Sequence, residues 1–245
     1  MSLYQPIVVR KEVDGAHFYY VNEKFVPGVT TILGEAMPTP YALRYWIGEV
    51  GNEKAQAKLE SAGERGTNLH HACESLLRGE TVDLRSKFPS KEDKRCLAGF
   101  VAWVNEFNPK FEDVQKDIEF IVVSKEGFAG TVDFTCKLED EPWIIDIKSS
   151  AQVYDSHKLQ LGAYQQAYYE MTGIKAKTGI LHLNSKVKKG WTFHKDLEIE
   201  GKPVEFEDFK KVFEVYKMLN GGKIKEPNLT EVYPDFLNLY KQIEQ

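Results

Sequence analysis

Residues 127–164, GFAGTVDFTCKLEDEPWIIDIKSSAQVYDSHKLQLGAY, read as two adjacent strands followed by a helix. Strand residues point alternately to opposite faces. In GTVDFTC, Thr131, Asp133 and Thr135 therefore share one face, and Val132 and Phe134 the other. In WIIDIKSS, Ile144, Asp146 and Lys148 share a face, backed by Trp143, Ile145 and Ile147. An Asp and a Lys inside so apolar a run need a reason, because burying unpaired charge is costly. If the strands pair side by side, Asp133 and Asp146 converge, with Lys148 one pleat away. Two carboxylates and an ammonium can hold Mg²⁺ or Mn²⁺ through oxygen and position a water beside it. The competing reading is a surface ion pair, which is what most isolated Asp-x-Lys triplets are. The context weighs against it. Lys148 ends an apolar run, Asp133 lies 13 residues before Asp146 and follows a glycine, and an amphipathic helix comes next. On that helix His157, Gln160, Leu161, Tyr164 and Tyr168 fall on one stripe. Polar groups beside Leu161 there indicate a face turned toward the site.

Taken together, Gly130-Thr-Val-Asp133, Asp146-Ile-Lys148 and Gln160-Leu-Gly-Ala-Tyr164 resemble the PD-(D/E)XK nuclease superfamily, and within it the RecB-like exonuclease branch. The resemblance implies an α/β restriction-endonuclease-like core, a central mixed β-sheet flanked by helices. It implies a Mg²⁺- or Mn²⁺-dependent deoxyribonuclease with one or two ions, acting on DNA with a free end. By the same likeness Asp133 and Asp146 bind metal, with His70 and the main-chain carbonyl of Ile147 completing the shell. Lys148 positions the attacking water or stabilises charge on the phosphate, and Gln160 and Tyr164 orient Lys148 or hold the DNA backbone. His70 enters through the branch's G-x-x-x-H element, here Gly66-Thr-Asn-Leu-His70. From the residues alone, His70 and His71 are adjacent, point about 100° apart on a helix and cannot chelate as an i, i+4 pair. Either one is more often a surface or core residue, so only the resemblance singles out His70. Glu74, one turn on, contacts the site or braces it, and neither role is assigned. A looser likeness to phage-type RecB-like nucleases and the mitochondrial genome-maintenance exonucleases begins near residue 27, in PGVTTIL. There Thr30 and Arg44 either touch phosphates or serve as cap and surface residues. An endonuclease on the same fold, or a DNA-binding module without catalysis, are the alternatives.

The rest of the chain frames this stretch. Its 245 residues, 42% hydrophobic and 28% charged, suit one globular domain. We divide it into an N-terminal hairpin and helices (1–62), a catalytic core (63–195) and C-terminal helices (196–245). No apolar run approaches membrane-spanning length, and MSLYQPIVVRKEVDG lacks a signal core. Cys73, Cys96 and Cys136 are odd in number, widely spaced and without a C-x-x-C, so neither a disulfide framework nor an iron–sulfur cluster is expected. They read as reduced core residues of a cytoplasmic protein; the compact chain, without a fused helicase or transit segment, is expected to be bacterial or from a phage-infected cell. The net charge of −5 gives no overall attraction to DNA, so distribution matters more. Residues 147–195 hold eight Lys against Asp155 and Glu170. Lys158, Lys175, Lys177, Lys186, Lys188 and Lys189 either follow a phosphate backbone or form a solvated surface.

Further elements follow from pattern. Residues 7–26 read as a hairpin turning at Asp14-Gly15. Thr30 or Thr31 caps a short helix, and Pro38 and Pro40 break the chain before a helix from Tyr41. Residues 62–79 form a helix entered through Gly66. Residues 91–107 form another, with Leu97, Phe100, Val101, Val104 and Phe107 as its apolar stripe. Strands are expected at 119–124, 177–184 and 190–194, a helix at 205–219, and a helical segment after Pro234.

Overall fold

The computed structural model of the chain describes residues 3–13 and 16–221. The expected Asp14-Gly15 turn, Gly222 and the segment after Pro234 lie outside those residues. Strands β1 (Val8–Val13), β2 (Ala16–Val21) and β3 (Lys24–Val26) form an antiparallel sheet in that order, one strand more than a hairpin. The additional turn is Asn22-Glu23, with φ of 48° and 67°. Two positive φ values make the tight turn that matches strand twist, but Glu at its second position carries none of the usual glycine signal.

Helix α1 (Val29–Ala36) starts at Gly28, not at a threonine. Val29 is drawn into the core at 1% exposure, which pulls Thr30 and Thr31 into the first turn, both exposed. Helix α2 is Tyr41–Val50, as expected from the prolines. Helix α3 (Asn52–Leu77) is far longer than predicted, with Gly66 inside it instead of at its entrance. A glycine in a helix interior costs only about 0.5–1 kcal/mol. Buried Leu69, Ala72 and Cys73 anchor this part of the helix on the core.

In α4 (Lys91–Phe107) the Ser90 side chain caps the first turn by accepting from the Asp93 N–H at 3.0 Å. Of its expected stripe, Leu97, Phe100, Val104 and Phe107 pack on the core, whereas Val101 is exposed and Trp103, not expected, is fully buried. The Trp103 ring packs against Phe107, Phe134 and Phe193 with centroids 5.3, 6.0 and 5.4 Å away. A one-turn helix, α5 (Val114–Asp117), leads into the central sheet.

That sheet is mixed. Its strands β4 (Ile118–Ser124), β5 (Phe128–Leu138), β6 (Glu141–Lys148), β7 (Lys177–Leu183) and β8 (Trp191–His194) lie in sequence order. All neighbours are antiparallel except β6 and β7, which are parallel. A parallel pair needs a crossover, and α6 (Asp155–Thr172) provides it. One face of the sheet packs on α3 and α4 through Phe134, Ile145, Ile147 and Leu181. The other packs through Val132, Ile144 and Ile180 on α1, α6 and α7 (Phe206–Leu219). A small hairpin, β9 (Glu198–Ile199) and β10 (Lys202–Pro203), precedes α7 and was not expected. This α/β architecture is consistent with a restriction-endonuclease-like fold.

The strand alternation is broken at one place. Val132 packs with α6 and α7, whereas Phe134, two residues on, packs with α3 and α4. The expectation that they share a face is therefore wrong. In the neighbouring strand Ile118 and Phe120 divide the same way. Between them Glu119 has φ of 59°, opposite Asp133 in the register set by Ile118↔Phe134 and Phe120↔Val132. A non-glycine residue in that region costs on the order of 1–3 kcal/mol and clusters at functional sites. The reversal turns Asp133 toward α3.

Candidate active site

The β5–β6 ladder runs from Leu138↔Glu141 to Phe134↔Ile145 and stops one residue short of Asp133 and Asp146. Beyond that point a side chain takes over from the backbone. The Ile147 N–H donates to Asp133 Oδ2 at 2.5 Å, so the carboxylate satisfies an amide that a paired strand would otherwise satisfy. Asp133 and Asp146 thus meet where the two strands part. From α3, His70 Nδ1 approaches Asp133 Oδ1 at 3.4 Å. Lys148 Nζ lies 2.8 Å from Asp146 Oδ2 in an ion pair too poorly aligned to count as a hydrogen bond. Gln160 Nε2 donates to the Tyr164 hydroxyl at 2.8 Å, both side chains being buried. Tyr164 in turn lies directly over Gly130.

These side chains line one cavity of about 600 Å³. Its electrostatics follow from burial and mutual charge. Burial pushes Asp146 up to about 6; Lys148 opposes this and Asp133 adds to it. Burial acts upward on Asp133 too, but His70, Lys148 and the Ile147 amide outweigh it and the net shift is downward. Burial alone would lower His70 and Lys148, yet their carboxylate neighbours raise both. The two carboxylates therefore favour the protonated form of Lys148. Burial and the Glu119 carboxylate raise Glu74, which lines the same cavity.

Sequence reading missed part of the wall. Arg10 of β1 donates to Glu119 Oε2 at 2.6 Å and Thr131 Oγ1 at 3.1 Å, and the Tyr19 hydroxyl lies 2.9 Å from the same Thr131 oxygen. The N-terminal sheet is thus a wall of the site. Glu119 was detectable by the argument used for Asp146, an acid in an apolar strand. Arg10 carried no signal, because its partners lie more than 100 residues away. Thr30 lines the cavity; Arg44 is exposed on α2 and does not. None of the six lysines proposed as a phosphate path lines it either. Lys158, Lys177 and Lys189 are paired with Asp155, Glu141 and Glu106. His71 borders the cavity from an exposed position. Cys73, Cys96 and Cys136 are free and buried, as expected.

The family model of the PD-(D/E)XK nuclease superfamily matches residues 38–231. The chain belongs to this superfamily. No curated protein matches it. Among solved structures, the crystal structure of SSO0001 matches at 16% identity with a TM-score of 0.33. That match covers 53% of this chain and 58% of the other, too partial a likeness to carry an inference.

Membership of a nuclease superfamily implies a nucleic-acid substrate, and its members typically use divalent metal ions. The donor set suits such an ion: two carboxylates and an imidazole converge, and Asp146 Oδ2 is buried with no aligned hydrogen bond. His70 and Lys148 now compensate those carboxylates, and among the described residues no three acid, histidine or cysteine groups form a ready-made cage. Ile147 donates its amide to Asp133 and stands opposite Leu181 in the parallel ladder with β7.

One titrating group next to the site gives a stability test. His157 Nδ1 accepts the Tyr154 N–H at 3.3 Å, capping α6. Burial, with Lys148 and His182 nearby, pushes His157 down to about 3. The unfolded chain takes up a proton near pH 6.5 that the folded ring refuses until about pH 3. This stability is therefore present above pH 6.5 and is lost as the pH falls toward 3. His157→Gln keeps an acceptor at the helix position where glutamine caps well and cannot titrate. Urea unfolding at pH 7, 5 and 4 is expected to show a shallower acid loss for the variant than for the wild type. Equal slopes reject this role of His157.

Proposed function

We propose that the chain is a Mg²⁺- or Mn²⁺-dependent DNA exonuclease of the RecB-like kind. The observation that carries this reading is the buried junction of Asp133 and Asp146 with Lys148 on one side and His70 on the other. Asp133, Asp146 and His70 would hold one or two ions, with the Ile147 carbonyl as a further ligand. Bound there, the metal supplies Lewis-acid polarisation of the phosphate and acidification of the attacking water. The protein's own part is positioning and charge. Lys148, kept protonated by the carboxylates, donates to a phosphate oxygen and offsets the negative charge that builds during displacement. Gln160 and Tyr164, bonded to each other, keep the wall beside Lys148 rigid. With the Asp146 side chain only 3% exposed, the scissile phosphate must enter the cavity, which favours a strand fed in from a free end.

The setting we infer is recombination, repair or replication of DNA in a bacterial or phage-infected cytoplasm. The three free thiols are compatible with a reducing compartment. No helix among the described residues is long and apolar enough to cross a membrane.

The test compares linear and closed-circular DNA, single- and double-stranded, with Mg²⁺, Mn²⁺ or EDTA. Metal-dependent loss of linear DNA alone is the expected result and identifies the preferred strand form. Cutting of circles moves the assignment to an endonuclease. DNA binding with no cleavage under any condition refutes catalysis.

A further inference from the structure

A second cavity, also of about 600 Å³, opens on the other side of Lys148. It shares Thr30, Lys148 and Gln160 with the first, so the two meet at the proposed reacting centre. Their walls differ. The first carries Arg10, Glu74, Glu119 and the two aspartates. The second is built largely from Leu33, Met37, Pro38, Pro40, Leu43 and Tyr154. Its volume falls within the roughly 300–1,000 Å³ of small-ligand clefts, and its make-up is typical of them, apolar walls with a few polar groups.

Besides the shared groups, the polar lining holds Thr39, Asp155, Ser156 and His157, and the His157 ring meets Tyr154 edge to face with centroids 5.4 Å apart. Since Nδ1 accepts the Tyr154 N–H, the proton of the neutral ring sits on Nε2. That Nε2–H has no protein partner among the described residues and is a donor available to a ligand. An apolar slot and a hydrogen-bond donor therefore adjoin the proposed phosphate site. A DNA single strand presents the same pair: a phosphate and a flat apolar base with hydrogen-bonding edges.

We propose that the second cavity is a nucleobase subsite. It takes the unpaired base next to the scissile phosphate between the Pro38–Leu43 wall and the Tyr154–His157 pair. This rests on the nuclease reading above and adds the requirement that the strand be unpaired at the site.

The test uses oligodeoxynucleotides lacking the base at one position, moved through each side of the cleaved bond in turn. KM is measured with Mg²⁺, and Kd by fluorescence anisotropy in EDTA. In the wild type, loss of the base on one side is expected to raise both about tenfold, with kcat within about twofold. Leu43→Ser and Tyr154→Ala are expected to bind intact DNA about tenfold more weakly and to lose the discrimination. If Tyr154→Ala does not fold, Leu43→Ser makes the comparison alone. No penalty in the wild type, or an undiminished penalty in the folded variants, overturns the subsite. A wild type that shows the base penalty in Kd yet cleaves nothing keeps the subsite and refutes the nuclease reading. Cleavage with no base penalty does the reverse.

Discussion

Lys148→Ala is expected to slow DNA cleavage by about 10²–10³-fold or more, with Asp146→Ala equally damaging and the fold retained in both. The reason is position. Among the described residues Lys148 is the one lysine or arginine lining both cavities, and its side chain is only 17% exposed. The arginines of the first cavity are engaged: Arg10 is held by Glu119 and Thr131, and Arg78 donates to Gln115 at 3.0 Å. Neither can take its place. The fold should survive because β6 stays paired with β5 up to Ile145 and with β7 through Lys148, which stands opposite His182 in the parallel ladder. In Lys148→Ala the Asp146 carboxylate loses its neighbouring ammonium, so its pKa rises further and the buried group takes up a proton in place of carrying an unpaired charge. In Asp146→Ala the ammonium still has Asp133 nearby. Initial rates with Mg²⁺ and with Mn²⁺ check the loss, and circular dichroism with thermal unfolding checks the fold. If both variants cut DNA at close to the wild-type rate, the residues are wrongly assigned.

What was legible in the sequence was local, and what was hidden was formed at long range. The strand–strand–helix reading of residues 127–164 needed only alternation and a helical stripe, and the structure contains all three elements. Asp133, Asp146, Lys148, Gln160 and Tyr164 do line one cavity, although β5 and β6 stop pairing one residue short of the two aspartates. Alternation failed at Asp133, because a left-handed Glu119 in the adjacent strand reverses the faces, and nothing in IEFIVVS announces positive φ at a glutamate. The Arg10–Glu119–Thr131 contact joins segments 109 and 121 residues apart, which no local window spans. The lysine stretch misled for the opposite reason. Its charges are close in sequence but lie outside the cavity that holds Asp133 and Asp146, two of them paired with acids from other elements.

Gly130→Ala is expected to destabilise the protein by about 1–3 kcal/mol and to depress activity by more than the loss of folded protein explains. Gly130 is not in the left-handed region, so alanine suits its backbone. What forbids the side chain is Tyr164: a methyl group at this position would overlap Cε1 and stand 3.1 Å from Cζ of that ring. Tyr164 is 2% exposed and held by Gln160, so it has little room to yield. The glycine three residues before Asp133 and the tyrosine four after Gln160 are therefore one packing contact that presses α6 onto β5. A ring displaced by alanine carries Gln160 with it, and Gln160 borders both cavities. A double-mutant cycle isolates this contact. In a Tyr164→Leu background the added methyl group should cost less than about 1 kcal/mol, because the ring is gone. In a Tyr164→Phe background the full cost should remain, because the ring stays and only the hydroxyl is lost. Urea unfolding of the six proteins gives the coupling directly. Equal costs of Gly130→Ala in the leucine and phenylalanine backgrounds would show that the strand, and not the ring, absorbs the methyl group.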